Sequence, residues 1–285
     1  MTSIEAVDGS CETRDGLALH YRAWLPPTPR GVLLIAHGLA EHSGRYAHVG
    51  PRFAAAGYAA YALDHRGHGL SPGRRVHVGR FAEYLDDVDA LAAVTRHRHP
   101  GLPLVLVGHS QGGLVVLTCV LERPRGLAGA IVSSPLLGVH PAARGSPALV
   151  AAARVLSVLW PNVLIPNHVD ASRLARDPAV GRAYLADPLV SHRVSPRWLI
   201  AVLRAIERVH QDAPFLSIPV LLMISGADRI VDPEASVRFA SRAPTHLVDL
   251  VRWEGFFHEM FNEPDRETVF RRMEAWLAAR GLYRA

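Results

Sequence analysis

At 285 residues, 49% of them hydrophobic and only 20% charged, the chain can bury a sizeable core as one large domain or as a domain with an insertion, which excludes a disordered chain. All 31 basic residues are arginines, and the lack of lysine excludes Schiff-base chemistry, a catalytic lysine and a phosphate-binding Walker loop. The formal charge is +5 without any basic run interleaved with aromatics, so nucleic acid is not an expected partner.

In chain order, Met1 to Asp8 is mixed and acidic rather than basic and then apolar; no secretory signal is visible, and the cytoplasm is the expected location. Asp15-Gly16, between Ser10 to Arg14 and Leu17 to Trp24, is a hairpin signal and predicts antiparallel strands at one sheet edge. Strand-like apolar runs recur at Val32 to Ala36, Tyr58 to Leu63, Leu104 to Val107, Ala130 to Ser133, Val220 to Ile224 and Leu247 to Val251. Helical segments are expected at Arg45 to Ala56, Phe81 to His97, Leu114 to Glu122, Glu234 to Arg242 and Asp265 to Arg280. Continuous rather than alternating hydrophobicity marks strands covered on both faces, so the expected class is α/β with a mostly parallel sheet and helices on both sides. Cys11 and Cys119 make no disulfide framework, and Cys119 reads as a small buried hydrophobe.

The alternation breaks across 137–198. Residues 1–136 and 199–285 are therefore expected to form the core, with 137–198 a helical lid over the carboxyl end of the sheet, where ligands bind in open α/β sheets. The apolar stretch Pro147 to Trp160 is interrupted by Arg154 and stopped by Pro161, so it does not span a bilayer. Seven arginines (Arg144, Arg154, Arg173, Arg176, Arg182, Arg193, Arg197) face three aspartates (Asp170, Asp177, Asp187) in this segment. Either these arginines favour lipids at anionic surfaces or with phosphate headgroups, or they are plain solvated charges.

The chemistry centres on Gly108-His109-Ser110-Gln111-Gly112-Gly113, between a strand-like run and a helix-like run. A serine on so tight a strand-to-helix turn needs glycine on both sides and has its hydroxyl lifted out of the sheet, a nucleophile elbow. Acyl transfer from it requires a base, an acid that orients the base, and donors for the oxyanion. Asp228 follows the run Val220 to Ile224, and His258 follows Leu247 to Val251, giving the order serine, acid, histidine of α/β-hydrolase sheets. Asp232 is the alternative acid, although it also reads as the cap of the helix beginning at Pro233. The backbone amides of Gln111 and Leu39 are the expected oxyanion donors, Gly38 letting the loop turn. His37 is expected to hold that loop rather than carry a proton. His37, His42 and His48, or His65 and His68, lack a metal-ligand spacing, so no metal is expected. Leu149, Val155, Leu156, Leu159 and Trp160 are candidate linings of an apolar tunnel, Val155, Leu159 and Trp160 foremost, or else core of the lid.

Together, His37-Gly38-Leu39-Ala40-Glu41-His42-Ser43-Gly44-Arg45-Tyr46, Asp64-His65-Arg66-Gly67-His68-Gly69-Leu70-Ser71, Gly108 to Gly113, Gly226 to Pro233 and His258 to Glu263 resemble the monoglyceride lipase and lysophospholipase branch of the α/β-hydrolases. Arg176-Asp177-Pro178 and Asp187-Pro188-Leu189-Val190 are similar to the same branch. The resemblance implies an α/β-hydrolase fold, triad roles for Ser110, Asp228 and His258, and an oxyanion hole at Leu39 and Gln111. It further implies cleavage of one fatty acyl ester from glycerol or a related headgroup, without cofactor. Ala40 departs from the branch where a second glycine is usual, and Gln111 where methionine is common. Glu41 and Arg45 are expected to pair structurally. Rival readings on the same residues are a small-ester esterase, an aminopeptidase, a C–C hydrolase and a non-catalytic ligand receptor.

Overall fold

A computed structural model of the chain describes residues 4–143, 145–167 and 169–283, so Arg144 of the arginine set and Met1 to Ser3 lie outside the described residues. Strands β1 (Val7–Glu12) and β2 (Ala18–Trp24) pair antiparallel across the Asp15-Gly16 turn, where Gly16 takes φ 81° and the Thr13 amide bonds the Leu17 carbonyl. β3 (Gly31–Ala36) leads to a single 3₁₀ turn, Ser43–Tyr46, and then to helix α1 (Val49–Ala55). The continuous helix expected over Arg45 to Ala56 is thus split. Pro51 has no N–H for the Ala47 carbonyl and its ring would strike it, so the α-helix begins late enough to hold Pro51 in its first turn.

The chain continues through β4 (Tyr58–Leu63), α2 (Ala82–Arg98), β5 (Leu104–His109), α3 (Gln111–Glu122) and β6 (Gly129–Ser133). It then passes through α4 (Pro147–Leu159), β7 (Ile165–Pro166), α5 (Pro178–Ala186), β8 (Arg193–Val194) and α6 (Pro196–Asp212). It closes with β9 (Val220–Ser225), α7 (Pro233–Arg242), β10 (Val248–Trp253) and α8 (Arg266–Ala279). The sheet order is β1-β2-β4-β3-β5-β6-β9-β10, antiparallel at β1-β2 and β2-β4 and parallel elsewhere. This is the α/β-hydrolase fold.

Every residue of β3, β4, β5, β6 and β9 is buried, as their unbroken apolar runs require. One face packs on α1 and α8 through Phe53, Phe270 and Trp276; the other packs on α2, α3, α6 and α7 through Leu85, Val116, Val202 and Phe239. Four helices open alike: Ser146, Asp177, Ser195 and Asp232 each accept a first-turn amide, with proline just inside the helix. Segment 137–198 carries α4, the β7-β8 ribbon, α5 and the first residues of α6, so the expected boundary at 198 falls inside α6, which runs on to pack against α3. Among the described residues, no helix is long and apolar enough to cross a membrane.

α3 approaches the end of β3 closely at Gly112, where a Cβ would collide with the backbone carbonyl oxygens of Ala36 and His37. Gly112→Ala is expected to cost about 3 kcal/mol of stability or more in urea unfolding, because neither carbonyl can yield. Gly255→Ala, at φ 79° in open space, meets only the conformational penalty and is expected to cost about 1–2 kcal/mol.

Candidate active site

Ser110 stands alone between the last residue of β5 and the first of α3, with φ 52° and ψ −116°. A left-handed backbone at a residue with a Cβ persists only where neighbours fix it. Here the Ser110 amide donates to the Ser133 carbonyl at 3.0 Å, and the Ser110 carbonyl accepts from Leu114 at 3.1 Å and Leu136 at 2.9 Å. A side chain on Gly108 would strike Gly112 and Gly113, and one on Gly113 would strike Pro135, which is why the motif is so rich in glycine.

Two loops converge on this turn. His258 Nε2 lies 2.9 Å from Ser110 Oγ, and His258 Nδ1 lies 2.7 Å from Asp228 Oδ2. The other Asp228 oxygen accepts the amides of Ile230 at 2.8 Å and Val231 at 3.0 Å. With Asp228 an acceptor at both oxygens, Nδ1 carries the imidazole proton, and the Nε2 lone pair accepts from the Ser110 hydroxyl. All three side chains are buried. Burial opposes a charge on His258, but the carboxylate of Asp228, helped by those of Glu259 and Glu41, outweighs it and lifts the imidazole above the usual histidine value. Burial likewise disfavours the Asp228 carboxylate, yet His258 and the two amides leave it below the usual aspartate value. Asp232 is engaged elsewhere: it caps α7 through the Glu234 amide and pairs with Arg238 at 3.1 Å.

The loop after β3 lies against the serine, with Gly38 and Leu39 lining the same cavity as Ser110 and His258. Gln111 opens α3, so its amide is one of those that a helix leaves without an internal partner. Ala40 takes φ 67°, the conformation that the usual glycine would occupy more easily. His37 Nε2 accepts the His65 amide at 3.1 Å, so Nδ1 carries the proton and donates to the Gly38 carbonyl at 2.7 Å. Its burial pushes the pKa down and keeps it neutral.

The cavity has a volume of about 1440 Å³ and is lined by Ser110 and His258 together with Leu136, Leu137, Val194, Leu199, Leu203 and Ile206. Leu149, Val150 and Ala153 of α4 line it, whereas Val155, Leu159 and Trp160 do not: they point outward, 56%, 60% and 62% exposed. This corrects the expected tunnel lining. α4 is apolar nearly all round, so spacing could not tell its inner face from its outer one. Two contacts left no sign in the sequence. Trp198 Nε1 donates to the Gln111 side-chain oxygen at 2.9 Å, fixing α6 over the elbow. Arg45, expected to pair with Glu41, also donates to Glu259, which adjoins His258.

Residues 27–265 match the family described as serine aminopeptidase, S33. A monoacylglycerol lipase of Mycolicibacterium smegmatis is 38% identical, over 93% of this chain and 94% of that one. A phospholipase of Bacillus subtilis is 35% identical, over 89% and 97%. The crystal structure of a monoacylglycerol lipase from Paleococcus ferrophilus superposes with a TM-score of 0.82 at 32% identity, covering 97% of this chain and 99% of that one.

The charge arrangement has a direct spectroscopic consequence. The His258 imidazole should titrate above the ordinary histidine value by NMR, and Asp228→Asn should move it downward, since the charge that favours imidazolium is gone while the burial remains. An unmoved midpoint would contradict the arrangement.

Proposed function

As the chain belongs to the serine aminopeptidase S33 family of α/β-hydrolases and is a serine hydrolase of that family, we propose that it cleaves the fatty acyl ester of a monoacylglycerol or a lysophospholipid. The observation that carries this reading is the Ser110, His258 and Asp228 hydrogen-bond chain on a cavity with many aliphatic lining residues. The relatives named as monoacylglycerol lipase and phospholipase support it.

In this mechanism, Ser110 Oγ attacks the ester carbonyl while His258 Nε2 takes its proton. Asp228 holds the imidazole in the required tautomer and stabilises the imidazolium. The carbonyl oxygen becomes an oxyanion held by the amides of Leu39 and Gln111, each contributing on the order of 3 kcal/mol. Collapse of the tetrahedral species breaks the ester bond, and His258 passes its proton to the departing glycerol or headgroup oxygen. Water then attacks the acyl-enzyme by the same route and releases the fatty acid. The acyl chain lies between Leu136, Val150, Leu199 and Leu203.

Segment 137–198 serves as the lid. Its α4 and the residue that follows it expose Val155, Val158, Leu159 and Trp160 beside Arg154, an apolar surface with a basic residue suited to resting on a lipid interface where substrate resides. α5 and its flanks are fixed to the core. His42 bonds Asp187 at 2.8 Å, the Ser191 amide bonds the Ala40 carbonyl at 2.9 Å, and Arg176 bonds the fully buried Glu263 at 2.7 Å.

Hydrolysis of monoacylglycerols, lysophospholipids, triacylglycerols and short nitrophenyl esters by wild type and Ser110→Ala tests the reading. Long-chain monoacyl esters should be turned over fastest, and the substitution should remove activity by about 10³-fold or more. Turnover confined to short esters would make the protein a general carboxylesterase and overturn the lipid assignment.

A further inference from the structure

Arg45 is partly buried, its side chain 10% exposed, and its guanidinium is divided between two carboxylates from distant parts of the chain. Nε donates to Glu41 Oε2 at 2.8 Å, and Nη2 donates to the two oxygens of Glu259 at 2.7 and 2.6 Å. Its face lies 5.1 Å from the ring centre of Tyr184 in α5. The remaining Glu41 oxygen accepts the Gly38 amide at 2.5 Å and the Tyr46 hydroxyl at 3.0 Å. Glu259 adjoins His258 in sequence and also accepts from Asn262 at 2.7 Å. One guanidinium therefore ties the loop that carries Gly38 and Leu39 to the loop that carries His258.

The composition of this cluster argues for more than packing. Both glutamates are only 4% exposed and they share a single arginine, so the group has one more acid than base. Burying an ion cluster is expensive, and apolar residues of similar size would join the two loops at less cost. Burial pushes the Glu259 carboxyl above the usual glutamate value while Arg45 draws it down; in its ionised form, its negative charge beside His258 has a use, because the imidazole becomes cationic as Ser110 is deprotonated. Among the described residues, the charged and titratable groups that act most strongly on His258 include Asp228 from the loop after β9, Glu41 from the loop after β3, Glu259 from its own loop and His109 from the end of β5. His109 is neutral, since burial pushes it down to about 3.

We propose that Arg45 and Glu259 are positioning residues for ester cleavage: Arg45 locks the oxyanion loop and the histidine loop into one frame through Glu41 and Glu259, and the carboxylate of Glu259 supports the cationic form of His258. The proposal rests on the reading of Ser110 and His258 as nucleophile and base. Neither Arg45 nor Glu259 touches the reacting atoms in this role; both act through their neighbours.

The test is the rate of covalent labelling of Ser110 by a fluorophosphonate, together with kcat and KM on a nitrophenyl ester, across pH, for wild type, Ser110→Ala, Glu259→Gln, Arg45→Lys and Arg45→Met. Labelling of wild type but not Ser110→Ala establishes the underlying reading separately; labelling of both would sink that reading first. Removing the Glu259 charge favours neutral His258, so the acid limb of kcat/KM in Glu259→Gln should move to lower pH by roughly 0.5–1 unit. Arg45→Met should lose about 10- to 100-fold in kcat with KM little changed, and Arg45→Lys should recover part of it. If Glu259→Gln leaves the acid limb unmoved, or if Arg45→Met loses activity only in proportion to its unfolded fraction by thermal melting, the cluster is structural and the proposal fails.

Discussion

The site depends on one backbone conformation. Ser110 takes φ 52° in a position that β5, α3 and the end of β6 enforce from three sides. The conformation lifts the hydroxyl from the sheet and turns the start of α3 toward it, so the proposed nucleophile and one proposed oxyanion donor share the same turn. A left-handed serine is unfavourable by itself, and the Ser133, Leu114 and Leu136 hydrogen bonds hold it. The glycines at 108, 112 and 113 follow from the same constraint, because each stands where a side chain would meet another element.

Around that turn, parts distant in sequence are joined by charge. Asp228 fixes the tautomer of His258 while two amides fix Asp228, so the direction of the hydrogen-bond chain toward Ser110 is set from its far end. Arg45 performs a comparable task through Glu41, which holds the Gly38 amide, and Glu259, which adjoins the histidine. Asp187 and Glu263 then fasten the segment bearing α5 to the same two loops. α4 is tied chiefly through its packing on α6 and leaves a broad apolar face exposed. That contrast locates any movement of the proposed lid in α4 rather than α5.

What the residues disclose before folding follows the range of the forces involved. The continuous apolar strands and the glycine-flanked serine are local signals, and both reappear within a residue or two of where they were expected. Asp228 and His258 could be sought because each follows a strand-like apolar run, although only β9 is buried and β10, at the sheet edge, is partly exposed. The helix expected from Arg45 breaks because Pro51 denies it a hydrogen bond, a local rule that outweighs the apolar periodicity. The outward turn of Val155, Leu159 and Trp160 was not legible, since a helix apolar on nearly every side carries no mark of its buried face. Nor was Glu259, whose partner lies 214 positions away and meets it only after the sheet has formed.

In the proposed reaction Ser110 itself carries the acyl group. Rapid acid quenching during turnover of a long-chain monoacylglycerol, followed by peptide mass mapping, examines it without any substitution. An acyl mass is expected on the peptide containing Ser110 and on no other. Turnover at a normal rate with no adduct, or an adduct on another side chain, would contradict it.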